Sequence, residues 1–161
     1  MCGIIAVLSR PETRLVPLAA DLLAAVDSVL KGWPDDQQRL PDDTRLRDMA
    51  QAMSGVDASL RGDAGIWLMA GNREFISALT VRLEQLDGRL NAAEKQLERA
   101  DASVGAAALE RTGNLLTALR DASWSLRKDR IRTANAVDGL AGAGASRSAL
   151  AAYLSIQQAL S

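Results

Sequence analysis

The chain has 161 residues, 48% of them apolar and 24% charged, with a formal net charge of -1. That length suits one domain with its own core, and the composition is that of a globular chain rather than a disordered one. Near-neutral charge gives no global attraction to nucleic acid or anionic lipid. The longest apolar run falls far short of the ~20 residues a membrane span needs, and no signal-peptide pattern is present. A cytoplasmic protein without nucleic-acid or membrane partners is expected.

Histidine is absent, and Cys2 is the single cysteine. These two facts exclude a Ser-His-Asp triad, a Cys-His pair, an internal disulfide and a zinc site built from histidine or several thiolates. No metal or cofactor is expected, and any nucleophile must find a base other than imidazole.

In chain order, Gly3 to Leu8 (GIIAVL) is short, β-branched and bounded by Ser9-Arg10-Pro11, the pattern of a buried strand. Pro17 suits the first turn of a helix running through LAADLLAAVDSVLK to a stop at Gly32. The segment WPDDQQRLPDD is a loop, and its Asp42 or Asp43 caps a second helix over roughly Thr44 to Leu60. Asp35, Asp36, Asp42 and Asp43 match no calcium-loop spacing, so capping explains them better than a divalent cation. Arg61-Gly62-Asp63 is read as a turn.

The longest periodic region follows. Ile76, Leu79, Leu83, Leu86, Leu90, Ala93 and Leu97 alternate steps of three and four, which predicts one long helix with a heptad seam. After a break at Asp101 to Gly105, a second long helix is expected to about Leu140, with Leu109, Leu116, Leu119 and Leu126 on one face. The two would form an antiparallel hairpin. The seam serves most economically as a bundle core, although it could also join two copies of the chain. AGAGAS then gives a glycine-rich turn, and Ser146 caps a final helix, RSALAAYLSIQQALS.

The expected fold class is therefore mainly α: a helical bundle with one short N-terminal β-strand. A lone strand leaves its backbone donors and acceptors unpaired, and the last helix ends without a glycine or asparagine cap. The sequence thus reads as the start of a longer domain. Strand pairing in a homo-oligomer is the alternative.

Arg127, Lys128, Arg130 and Arg132 form the densest basic cluster, but Asp121 and Asp129 share the helix and no aromatic platform interleaves. A solvated face, or ion pairs to a facing helix, is expected. Trp67, Phe75 and Trp124 are expected in the core, and Trp33, beside Pro34, at the surface.

Cys2 can be read two ways. It can be a small apolar residue entering a buried strand. Alternatively, removal of Met1 would place its thiol beside a free α-amine, whose ordinary pKa of about 7.7–8.0 makes it a base near neutrality. Gly3 would give substrate a close approach to the nucleophile.

At the N-terminus, Met1-Cys2-Gly3-Ile4-Ile5-Ala6 resembles the start of the class II glutamine amidotransferases, N-terminal nucleophile hydrolases, and most closely the glucosamine-6-phosphate synthase branch. The resemblance implies that Cys2 attacks the side-chain amide of glutamine, with its α-amine as base, and that the ammonia released passes to a sugar-isomerase region of the same polypeptide. It also implies a parent αββα sandwich. SALAAYLSIQQALS resembles the first helix of that domain, and DASWSLRKDRIRTA resembles a helical insertion found in some relatives.

The division this implies is residues 1–10 for the first strand, 16–144 for a helical insertion and 145–161 for the start of the first glutaminase helix. The arginine and aspartate that hold glutamine in the family have no match here, nor does its Asn-Gly oxyanion pair. Gly71-Asn72 has the reverse order and takes no such role. The substrate-binding residues are therefore unassigned, and these 161 residues alone are not expected to hydrolyse glutamine. A competing reading is a non-catalytic helical-bundle interaction module.

Overall fold

The computed structural model describes residues 14–34, 39–99 and 105–141. These form helices α1 (Ala19–Lys31), α2 (Asp43–Ser59), α3 (Gly62–Met69), α4 (Arg73–Glu98) and α5 (Ala106–Ser125), then a π-helical turn (Leu126–Ile131) that runs directly into α6 (Arg132–Ala141). The described part is mainly α, without a strand among the described residues. Cys2, the expected strand at Gly3 to Leu8, the turn at AGAGAS beyond Ala141 and the final helix lie outside the described residues. No helix among the described residues is long and apolar enough to cross a membrane.

Each long helix forms for local reasons visible in its residues. In α1, Leu22, Val26, Val29 and Leu30 recur on one face, while Asp21 and Lys31 complement the two ends of the helix dipole. The α2 cap is Asp42, whose carboxylate accepts from the Arg45 N–H at 2.8 Å. Asn72 caps α4 in the same way through the Phe75 N–H at 3.2 Å. The α4 seam from Ile76 through Ala93 is buried, and Leu97 packs against it part-buried.

Side-chain pairs give the packing directions. Asp27 pairs with Arg82 and Leu30 with Arg89, so α1 and α4 run parallel. Asp43 pairs with Thr112 and Asp57 with Ser125, so α2 and α5 run parallel. Arg120 reaches back to Asn91 and Glu94, and Ser123 to Asp87, so α4 and α5 are antiparallel. Two helical hairpins, α1/α2 and α4/α5, therefore lie side by side around one core, and α3 carries the chain across one end from the first to the second. Val26, Met53, Leu83, Leu86, Leu119 and Leu126 are all fully enclosed at the centre.

Two glycines make the α3 crossing possible. A side chain at Gly65 would overlap the backbone of Leu60, so α3 can turn back under the end of α2 only without a Cβ there. Gly71 has a φ of 69°, a left-handed conformation that opens the turn into α4. Gly65→Ala should cost about 1–3 kcal/mol, because rigid backbone rather than a movable side chain must give way. Urea unfolding checks this; an unchanged midpoint would contradict the close approach.

The second long helix is interrupted where the sequence pattern predicts continuity. Its buried positions step 116, 119, 123 and 126, then jump five to Ile131 before Ala134. The π turn absorbs the extra residue. An uninterrupted α-helix would bring Arg130 onto the core seam at the next step of four; the wider turn puts Ile131 there.

Two of the aromatic expectations are reversed. Trp33 is 9% exposed, whereas Trp124 is 58% exposed. Trp33 follows the end of α1 and folds back against the α4 side of the core. Trp124 sits one residue off the 116–119–123–126 seam and so projects from the outer face of α5. Phe75 is buried as expected, and Trp67 is half-buried.

Candidate functional site

Cys2 lies outside the described residues. Arg14, four residues before the α1 cap, donates from Nη1 to the Ala58 carbonyl (3.0 Å) and from Nη2 to that of Arg61 (2.5 Å). Arg14 is thereby held at the last turn of α2. On the far side of the sequence, the Asp138 carboxylate near the end of α6 accepts from the Gly71 N–H at 2.7 and 2.9 Å. Residues 14 and 138 thus meet the chain at residues 58–61 and 71, the two ends of the α3 crossing.

Between these anchors lies the most enclosed charge among the described residues. Asp57 is 3% exposed and sits on the core side of α2. Its Oδ2 accepts from Arg61 Nε (2.9 Å) and Nη2 (2.6 Å). Its Oδ1 accepts from Ser125 Oγ (2.9 Å) and Arg130 Nε (3.0 Å). Burial pushes the carboxyl upward, but the hydrogen bonds from Arg61, Arg130 and Ser125 outweigh it and hold the group below the ordinary carboxylate value. Four donated bonds satisfy a charge that would otherwise be expensive to enclose.

A second acid, Asp87 of α4, accepts from the buried Ser123 and from Arg127. The basic cluster of the sequence is thus split: Arg127 and Arg130 are tied to acids on α4 and α2, while Lys128 and Arg132 are exposed. The π turn and the two ion pairs form one device that locks the last helix to the bundle. Farther along, Arg82 hydrogen-bonds Asp27 and draws its carboxyl below the ordinary value against the opposing effect of burial. Asp42 is committed to the α2 cap, and Asp43 to Thr112 and Arg111. Groups of three or more acidic, histidine or cysteine side chains placed to hold a metal ion are absent among the described residues.

Sequence reading missed Asp57. The available signal was an aspartate one position beyond Val56 on an apolar face, with an arginine one turn later at Arg61. Asn72 serves as the cap of α4.

Convergence of the segments around Arg14 and Asp138 can be measured directly. Nitroxides on Leu15→Cys and Gly139→Cys in a Cys2→Ser background should lie within about 25 Å, since they share one end of a bundle with helices 8–10 Å apart. A separation near ~39 Å, the length of the 26-residue α4, would contradict the arrangement.

Compared with family models, curated proteins and solved structures, the chain matches none.

Proposed function

We propose that this chain is the N-terminal part of a class II glutamine amidotransferase, with Cys2 as nucleophile and the helical bundle as an insertion between the first strand and first helix of the glutaminase domain. The observation that carries the reading is the convergence of Arg14 and Asp138 on the α3 end of the bundle. An insertion must leave its host where it entered, and a bundle of two side-by-side hairpins meets that requirement without a long return connection.

In this reading, loss of Met1 exposes the Cys2 α-amine, which takes the thiol proton directly or through a water. The thiolate attacks the side-chain amide carbon of glutamine, and the C–N bond breaks as the amine returns the proton to the leaving ammonia. Water then hydrolyses the thioester to glutamate and frees the thiol. The ammonia passes to a sugar phosphate, converting fructose-6-phosphate to glucosamine-6-phosphate. In this reading, groups that grip glutamine and the oxyanion come from further glutaminase and sugar-isomerase regions of the same polypeptide. The bundle acts as a scaffold on the face of that domain.

The reading is tested by glutamine hydrolysis in a polypeptide continued through the downstream reading frame, with Cys2→Ala as its partner. A second reading, a helical interaction module with Cys2 incidental, draws on the exposed Trp124 on the outer face of α5 and the exposed Lys128 of the following π turn. It requires the Cys2→Ala polypeptide to behave as wild type.

A further inference from the structure

A cavity of about 480 Å³ opens between the end of α1 and the middle of α4. Its size falls within the range of small-molecule sites, roughly 300–1,000 Å³. Trp33 lines one side, while Gly88, Ala92 and Ala93 give a low apolar surface along α4. A Cβ built on Gly88 meets nothing within 4 Å, so the space above it is open. Arg39 and Arg89 complete the wall, and no acidic side chain is among its described lining residues.

The two arginines are differently prepared. Arg89 donates to the Leu30 carbonyl, which also accepts from the backbone N–H of Trp33 at 3.3 Å. The end of α1 thereby positions Arg89 and Trp33 together. Arg39 has no ion pair among the described residues. Trp33 is more than nine-tenths buried, yet its indole N–H has no acceptor among the described residues. An indole N–H is a donor only, and a buried one is ordinarily paired.

We propose that this cavity binds a small organic anion with a flat apolar body, its carboxylate or phosphate held by Arg39 and Arg89 and its body packed between Trp33 and the Gly88–Ala92–Ala93 face. Guanidinium groups match both anions through paired, charge-assisted hydrogen bonds. The anchored Arg89 loses little freedom on binding. The site is independent of Cys2, and its test does not involve glutamine.

The full 161-residue chain, labelled with nitrogen-15, is titrated with naphthalene-2-carboxylate and, separately, with phenyl phosphate, following the Trp33 indole N–H identified by Trp33→Phe. At least one anion should give a saturable one-to-one shift of that signal, and comparison of the two says which acid group the site prefers. Neutral naphthalene-2-carboxamide should bind about tenfold more weakly, and Arg39→Gln should cost a similar factor. Gly88→Leu should fill the space and abolish the shift without lowering Tm, since leucine is the better helix former. No saturable binding of either anion up to about 10 mM, where a millimolar site would be mostly filled, would overturn the proposal. So would equal binding of the amide, or undiminished binding by a folded Gly88→Leu variant. Binding that appears only after Asp35→Asn and Asp36→Asn would also overturn it, by making the chain's own loop the occupant.

Discussion

Replacing Asp57 with alanine is expected to destabilise the bundle by about 3 kcal/mol at pH 7, measured by urea unfolding. The change leaves Arg130 and Ser125 facing a buried gap with no acceptor, and removing one member of a buried pair typically costs about 3–5 kcal/mol. The lower end applies because Arg61, the other partner, is 62% exposed on its side chain and can turn to water. Asp57→Asn keeps an oxygen for Ser125 but removes the charge, so it should fall between wild type and alanine. The pH dependence has a definite sign. A carboxyl held below its ordinary value in the folded state contributes stability above the unfolded pKa of about 3.9 and loses it as pH falls through the folded value. The gap between wild type and Asp57→Ala should therefore be constant from pH 7 to about pH 5 and narrow below about pH 4. A gap that widened on acidification would contradict the assignment.

The second large effect concerns Cys2. On the proposed function, Cys2→Ala in a polypeptide continued through the downstream frame should lower glutamine hydrolysis by at least ~10³-fold, because removing a covalent nucleophile would leave only binding and oxyanion stabilisation. Stability of the bundle should not change. The rate should also rise with pH through the titration of the α-amine, near about 7.7–8.0 if its environment is ordinary. An acetylated or extended N-terminus should suppress activity as completely as the alanine substitution. Activity that survives Cys2→Ala would assign the residue to strand packing instead.

What could be read from sequence depended on how strictly local rules were obeyed. The α4 seam was legible because all its apolar positions keep steps of three and four and all face one core. The α2 cap was legible because Asp42 stands directly before an apolar period. The π turn was hidden because Arg130 occupies the position a regular helix would bury, and only the five-residue step from Leu126 to Ile131 betrays it. Asp57 was hidden for a related reason: its burial is compensated by groups as far as 73 positions away, a pairing no local pattern contains. Trp33 and Trp124 exchange places relative to expectation because loop position does not imply exposure: tertiary packing returns the end of α1 to α4.

The most direct test of the central claim is intact mass of the polypeptide, continued through the downstream frame, before and after exposure to the glutamine analogue diazo-oxo-norleucine. Loss of Met1 and a single adduct on Cys2 is the expected result. A retained Met1, or a Cys2 that stays unmodified in that polypeptide, would contradict the catalytic assignment and leave the bundle as an interaction module.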